Sequence, residues 1–209
     1  MAATTGYQYN IALIGDAEAG VDHLIVRWVE NRFIGHDWLD LIMKHSFLKR
    51  FTSPCQHEIT LNFFISFVGQ EAIGWDGNLP KTSELHSKFL HSKITVICFD
   101  LTNRESFKKL SGLKRLLERF RGDKHTMMLI GTKGDLLERN VTTVEAQEWA
   151  DLNGLPYFEI SAKTGYGCDL AMNWILTFLD SEIVFKETVI EERNWLSKMI
   201  SDAMKRFSE

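Results

Sequence analysis

Short apolar runs trade places with longer amphipathic stretches along most of this chain. That alternation constrains the fold more than any other feature, because strands separated by helix-length segments pair as a mainly parallel sheet covered on both faces. Strands are expected at Tyr9 to Ile14, Ile59 to Phe67, Glu71 to Trp75, Ile94 to Asp100, Met127 to Gly131 and Tyr157 to Ile160. Helices are expected at Val21 to Asn31, Pro80 to His91, Ser106 to Arg121, Thr143 to Asn153 and Cys168 to Leu179. Gly69 between the second and third runs reads as a hairpin turn, so the expectation is an α/β fold of six strands with one antiparallel edge.

Two segments exceed that plan. The stretch 34–58 reads as a helix or a long mobile loop, with Trp38, Leu41, Ile42 and Leu48 at partly helical spacing. After Asp180, Leu196, Met199, Ile200, Ala203, Met204 and Phe207 recur at three- and four-residue steps, the pattern of an amphipathic helix. A domain over 1–180 with a helical extension over 181–209 is the expected organisation, and both unusual segments are candidate surfaces for effector or regulator proteins.

Composition narrows the function. The 209 residues carry 24 Lys+Arg against 28 Asp+Glu, a net charge of −4, which lacks the broad positive field of a nucleic-acid binder. Three scattered cysteines, Cys55, Cys98 and Cys168, suggest neither a disulfide framework nor a zinc knuckle. A zinc site built from His36, His45, His57 and Cys55 has no ligand spacing to support it. The sequence shows no signal peptide and no apolar span of membrane length. Its second residue is Ala2, where myristoylation needs a glycine, and no cysteine stands near its end. The expectation is a cytoplasmic chain without a lipid anchor of its own, reaching a membrane only through a partner or a surface helix.

Chemistry enters at the loops that follow the strands. After the first strand come Gly15, Asp16, Ala17, Glu18, Ala19 and Gly20, then Val21 and Asp22. A strand, a glycine-bounded turn and a helix are the context of a P-loop, whose backbone N–H groups cradle phosphates. A working loop continues with a lysine and a Ser/Thr that binds magnesium, and Val21 and Asp22 occupy those positions. Losing the lysine removes a charge-assisted bond worth about 1.5–3 kcal/mol. Asp22 repels phosphate unless a cation lies between them, in which case it is itself a candidate magnesium ligand. The plain alternative is a βα turn with no ligand.

Further along, Gly131-Thr132-Lys133-Gly134-Asp135 follows one apolar strand and Ile160-Ser161-Ala162-Lys163 follows the next. Loops at the carboxyl ends of parallel strands converge on one crevice. There the Asp135 carboxylate can accept from the N1–H and 2-amino group of guanine, the Lys133 stem can lie over the base, and the Ala162 N–H can donate to O6. Adenine presents the opposite polarity to that carboxylate.

With these blocks in order, the chain resembles the Ras-like small GTPases, and the Rab branch most closely, over residues 7 to 180. The resemblance rests on YNIALIGDAEAG from Tyr9, WDG from Trp75, CFDLTNRESFKKL from Cys98, LIGTKGDL from Leu129 and EISAKTGYGCDLAMNWIL from Glu159. It implies a six-stranded sheet with five helices, GDP or GTP as ligand with magnesium, and a switch or adaptor role in membrane traffic or signalling. It also marks departures. Val21 and Asp22 replace the phosphate and magnesium ligands; Asp76 survives as a candidate metal group, but Leu79 and Pro80 stand where a glycine and a water-orienting glutamine are usual. Thr52 is the nearest match by spacing to the switch I threonine, and Thr132 replaces an asparagine that bridges loops. Phosphoryl transfer needs positioned water, metal and positive charge, so no catalytic residue is nominated and efficient hydrolysis is not expected. A nucleotide-free interaction module is the alternative. A receiver-like phosphoacceptor using Asp16, Asp76 and Lys133 fits the hairpin and the Ser-Ala-Lys loop poorly.

Overall fold

In a computed structural model the described residues are 6–16, 18–34, 47–67, 91–121 and 125–207. The expected strand Glu71 to Trp75, the helix Pro80 to His91 apart from its last residue, and Ala17, Trp38 and Asp76 lie outside them. In chain order the elements are β1 (Tyr7–Gly15), α1 (Val21–Glu30), β2 (Phe47–Thr52), β3 (Glu58–Phe67), β4 (Ile94–Asp100), α2 (Arg104–Lys108) and α3 (Leu110–Arg121). They continue with β5 (Thr126–Thr132), α4 (Thr143–Leu152), β6 (Tyr157–Glu159) and α5 (Cys168–Phe207).

Six strands form one sheet in the order β2-β3-β1-β4-β5-β6. Every neighbouring pair is parallel except β2 with β3. Apolar side chains point to both faces of the central strands, as burial on two sides requires. Ile11 and Leu13 of β1 join Val96 of β4 and Ile130 of β5 against α1 and α5. Ala12, Ile14, Phe99 and Leu129 face the opposite way, toward α3 and α4.

The antiparallel edge strand differs from the sequence expectation. β2 lies inside the segment read as helix or loop, and Phe47 pairs with Phe63 while Thr52 pairs with Glu58. Its alternation is hidden because Lys49 takes an inward position between Phe47 and Phe51, burying its stem while its Nζ donates to the Trp28 carbonyl at 2.9 Å. The helix expected from Ser106 to Arg121 is two helices, with the first capped by the Asn103 side chain, which accepts from the Glu105 and Ser106 amides. The last helix does not stop at Leu179. It runs 40 residues to Phe207, with neither glycine nor proline to interrupt it.

β1 lies between β3 and β4, so the strand order reverses across it, with β2 and β3 on one side and β4, β5 and β6 on the other. Its carboxyl end is therefore the switch point where an α/β sheet opens a crevice. Gly15 ends β1 there under close packing: a Cβ on it would lie 2.8 Å from the Cys98 carbonyl oxygen and 3.0 Å from a Val21 methyl carbon. Gly15→Ala is expected to cost about 2 kcal/mol through this overpacking, read as a lower urea midpoint with an unchanged slope.

Candidate functional site

The loops after β1, β5 and β6 meet around a cavity of about 170 Å³. Thr132, Lys133, Asp135 and Leu136 line it from the β5 side, and Ala162 and Lys163 from the β6 side. The start of α1 contributes Gly20 and His23, and Phe33 completes the wall. The β5 and β6 residues singled out in the sequence thus meet in space, whereas His23 and Phe33 were not foreseen. Their rings stack with centroids 5.1 Å apart.

The β5–β6 end of the crevice is built by short-range order within each loop and long-range bonds between them. Gly134 N–H donates to the Ile160 carbonyl at 2.9 Å, which ties the β5 loop to the end of β6. Ser161, fully buried, donates from Oγ to Asp135 Oδ1 at 2.7 Å and accepts from the Thr164 amide at 3.1 Å. The Ser161 hydroxyl therefore fixes the Asp135 carboxylate. Lys133 sits at φ 60°, a left-handed conformation costly for a side-chain residue, and its Nζ reaches Asp100 Oδ2 at 2.7 Å. Asp100 Oδ1 accepts in turn from the Thr102 amide and hydroxyl.

Thr132 retains a bridge between loops. Its hydroxyl lies 2.8 Å from the Ala19 carbonyl and 3.0 Å from that of Phe99, and its single proton can serve one of them at a time. A second bridge comes from Arg27 of α1, which the sequence did not single out. Its Nε donates to the Ala162 carbonyl at 2.8 Å and an Nη to the Lys163 carbonyl at 3.0 Å, holding the β6 loop against α1.

The other end of the crevice has a different chemistry. Gly20 adopts φ 67° and precedes α1, whose first residue, Val21, is fully buried with Ala19 in the apolar core. Asp16 faces Lys109 of the α2–α3 junction, with Nζ 3.0 and 3.1 Å from its carboxylate oxygens, and Glu18 is exposed. Asp22 Oδ1 accepts from His23 Nδ1 at 2.9 Å. Burial alone would raise the Asp22 pKa, but the His23 bond and charge and nearby backbone N–H groups hold it below the usual carboxylate value. Gly15, Asp16, Glu18, Ala19, Val21 and Asp22 do not line the cavity; of the described residues in the turn, only Gly20 does.

Thr52 is displaced from its expected role. It pairs with Glu58 at the beginning of β3, whereas the crevice opens at the far end of the parallel strands, and its hydroxyl donates to the Glu58 carboxylate at 3.2 Å. Spacing misleads here because an antiparallel β2 carries the chain away from the crevice. His57, raised as a zinc ligand, lies at this same distal end, where its Nδ1 donates to Asp180 Oδ1 at 2.8 Å.

A six-stranded sheet with one antiparallel edge, a glycine-bounded turn after β1 and an Asp-bearing crevice at the switch point define the P-loop small GTPase fold. The Ras family model matches residues 10–180. Over 171 residues the chain is 30% identical to Ras-related protein Rab-2B of Dictyostelium discoideum, covering 80% of this chain and 79% of that one. It is 27% identical over 161 residues to Ras-related protein Rab-5A of the same organism, covering 76% and 74%. The chain belongs to the Ras family, in its Rab-like branch. Among the described residues, no helix is long and apolar enough to cross a membrane.

Proposed function

We propose that this chain is an atypical Rab-like protein that binds guanine nucleotide, GDP or GTP, with little or no hydrolysis, and acts as a switch or adaptor in membrane traffic or signalling. The observation that carries the reading is the Asp135 carboxylate, held by buried Ser161 at 2.7 Å beside Lys133 and Ala162 in the wall of the crevice. A carboxylate so oriented has the acceptor lone pairs to take both the N1–H and the 2-amino group of guanine. Lys133, Ala162 and Lys163 supply the rest of the base side, and Thr132 and Ser161 position it.

The residues at the phosphate side fit magnesium and a triphosphate poorly. The Val21 side chain offers no donor and Asp22 offers a negative charge already committed to His23. No hydrolytic step is therefore assigned to these residues, and Asp22 and Asp76 remain only candidate metal groups. Exposed Phe185, Ile190, Trp195 and Leu196 on α5 suit contact with effector or regulator proteins. The buried Val21 favours a second reading, a nucleotide-free interaction module.

Denaturing the purified chain and chromatographing the released small molecules tests the first reading. Guanine nucleotide at close to one per chain is the expected result. A chain that releases none, and that binds no guanine compound when titrated, would establish the second.

A further inference from the structure

Resting on the guanine-binding reading, we propose that the crevice grips the guanosine half of its ligand and is indifferent to the phosphate chain, so that guanosine, GMP, GDP and GTP bind with closely similar affinity and without magnesium. Most of the cavity wall, including Thr132, Lys133, Asp135, Ala162, His23 and Phe33, consists of groups suited to a base and a ribose, and of the described residues in the turn after β1 only Gly20 reaches it. A phosphate chain extending past Gly20 meets the start of α1, where Val21 is sealed into the core and Asp22 is a carboxylate.

Among the described residues, Lys163 lines the base side of the cavity with Ala162, and three further cations of the neighbourhood are already engaged. Lys109 pairs with Asp16, Lys133 pairs with Asp100, and the Arg27 guanidinium donates to the carbonyls of Ala162 and Lys163. Diverting one of them to phosphate would break a formed ion pair or loosen the β6 loop, so the gain from the new contact would be offset by the loss of the old one. His23 faces the cavity beside Gly20, and its Nδ1 is held by Asp22. Ordinary P-loop affinity comes from backbone N–H groups, a lysine and a bound metal acting together on the phosphates. Here the lysine and hydroxyl positions hold a methyl-bearing side chain and an anion.

The consequence is an adaptor whose occupancy reports guanosine compounds as a class and not the ratio of GTP to GDP. The test uses the full chain, stripped of ligand and shown folded by circular dichroism, titrated calorimetrically with guanosine, GMP, GDP, GTP and adenosine, with magnesium and with EDTA. The four guanine compounds are expected within about threefold of one another, unaffected by EDTA, with adenosine at least about tenfold weaker. Asp135→Ala is expected to weaken all four guanine compounds by a common factor of about tenfold or more. Asp22→Asn is expected to raise the affinity for GTP relative to guanosine about fivefold, since it removes charge repulsion while keeping the side-chain shape.

GDP or GTP binding tenfold or more tightly than guanosine, or a marked loss in EDTA, would overturn phosphate indifference while leaving guanine-nucleotide binding standing. An unchanged GTP-to-guanosine ratio in Asp22→Asn would also overturn it, by removing the repulsion it depends on. A folded chain that binds none of the guanine compounds would overturn both readings together, and adenosine binding as well as guanosine would overturn the base recognition on which both rest.

Discussion

Gly167→Ala is expected to destabilise the protein by about 3 kcal/mol or more and to abolish ordered ligand binding in the crevice, because two independent costs coincide at one residue. Gly167 adopts φ +70°, a left-handed conformation that a side chain resists. A Cβ there would also lie 2.1 Å from the Glu159 carbonyl oxygen and 3.3 Å from a methyl carbon of Ile160. The first obstacle is backbone at the end of β6, so a rotamer change cannot relieve it. The loop must move, and it is the loop that holds Ser161 against Asp135. It is closed by its own bonds, Ser161 N–H to the Tyr166 carbonyl at 2.9 Å and Gly165 N–H to the Ser161 carbonyl at 2.8 Å, so displacement at Gly167 is transmitted to the hydroxyl that orients the carboxylate. Gly154→Ala is the matched control. Gly154 has φ +66°, but a Cβ added to it would meet nothing within 4 Å, so only the conformational cost of about 1 kcal/mol applies. Urea unfolding of the two variants, with guanine-ligand titration of each, separates the clash from the backbone cost. Equal losses of stability would show that the contact with Glu159 relaxes freely.

Asp180→Ala is expected to cost about 2–3 kcal/mol, since it strips the acceptor from several groups at once. Asp180 is 3% exposed and accepts from the Cys55 amide at 3.1 Å and from His57 Nδ1 at 2.8 Å. These bonds fasten the β2–β3 turn to α5. Lys93 to Glu182 at 2.7 Å and the Tyr7 hydroxyl to Glu187 at 2.5 Å extend the same fastening along the helix. The Glu187 bond, with burial second, pushes the Tyr7 phenol up to about 12. Removing Asp180 should therefore free the turn and weaken the anchoring of α5, seen as faster amide exchange at Cys55 and His57.

The same carboxylate gives the effect a pH signature. Burial alone would raise the Asp180 pKa, but hydrogen bonds from Ser53, His57 and Cys55 outweigh it and hold it below the ordinary value. Glu159 is likewise lowered against its burial by Arg139, Tyr157 and Thr143. For groups depressed on folding, the unfolded chain takes up protons first, so their stabilisation is complete above the unfolded value and is lost as pH falls through the folded one. Stability should decline as pH drops below about 4. Asp180→Ala should be less stable at neutral pH but show a shallower acid decline. An acid limb identical to the parent's would show that Asp180 is not among the groups responsible.

Five of the six strands were legible in the sequence for a simple reason. β1, β3, β4 and β5 are apolar runs with both faces largely buried, and the half-buried β6 is a short run set off by the Gly154-Leu155-Pro156 stop before it, so no partner is needed to see them. β2 was not legible, because Lys49 occupies an inward position that the Trp28 carbonyl, 21 residues away, makes tolerable. The continuation of α5 past Asp180 had a readable signal, the lack of glycine or proline from Cys168 to Phe207. The mixed composition of the tail, which suggested a separate extension, obscured it.

The candidate site divides in the same way. Local chemistry determined what each loop offers: a glycine-bounded turn without lysine, a Thr-Lys-Gly-Asp turn and a Ser-Ala-Lys turn, each read from a few adjacent residues. Which of those residues face one another was decided by the tertiary structure alone. Arg27 clamps Ala162 across 135 residues, Ser161 orients Asp135, Lys109 neutralises Asp16, and Val21 turns into the core and not toward the crevice. Sequence specifies donors, acceptors and their local spacing, whereas a hydrogen bond or ion pair exists only where the fold brings two of them within about 3 Å and withdraws them from water.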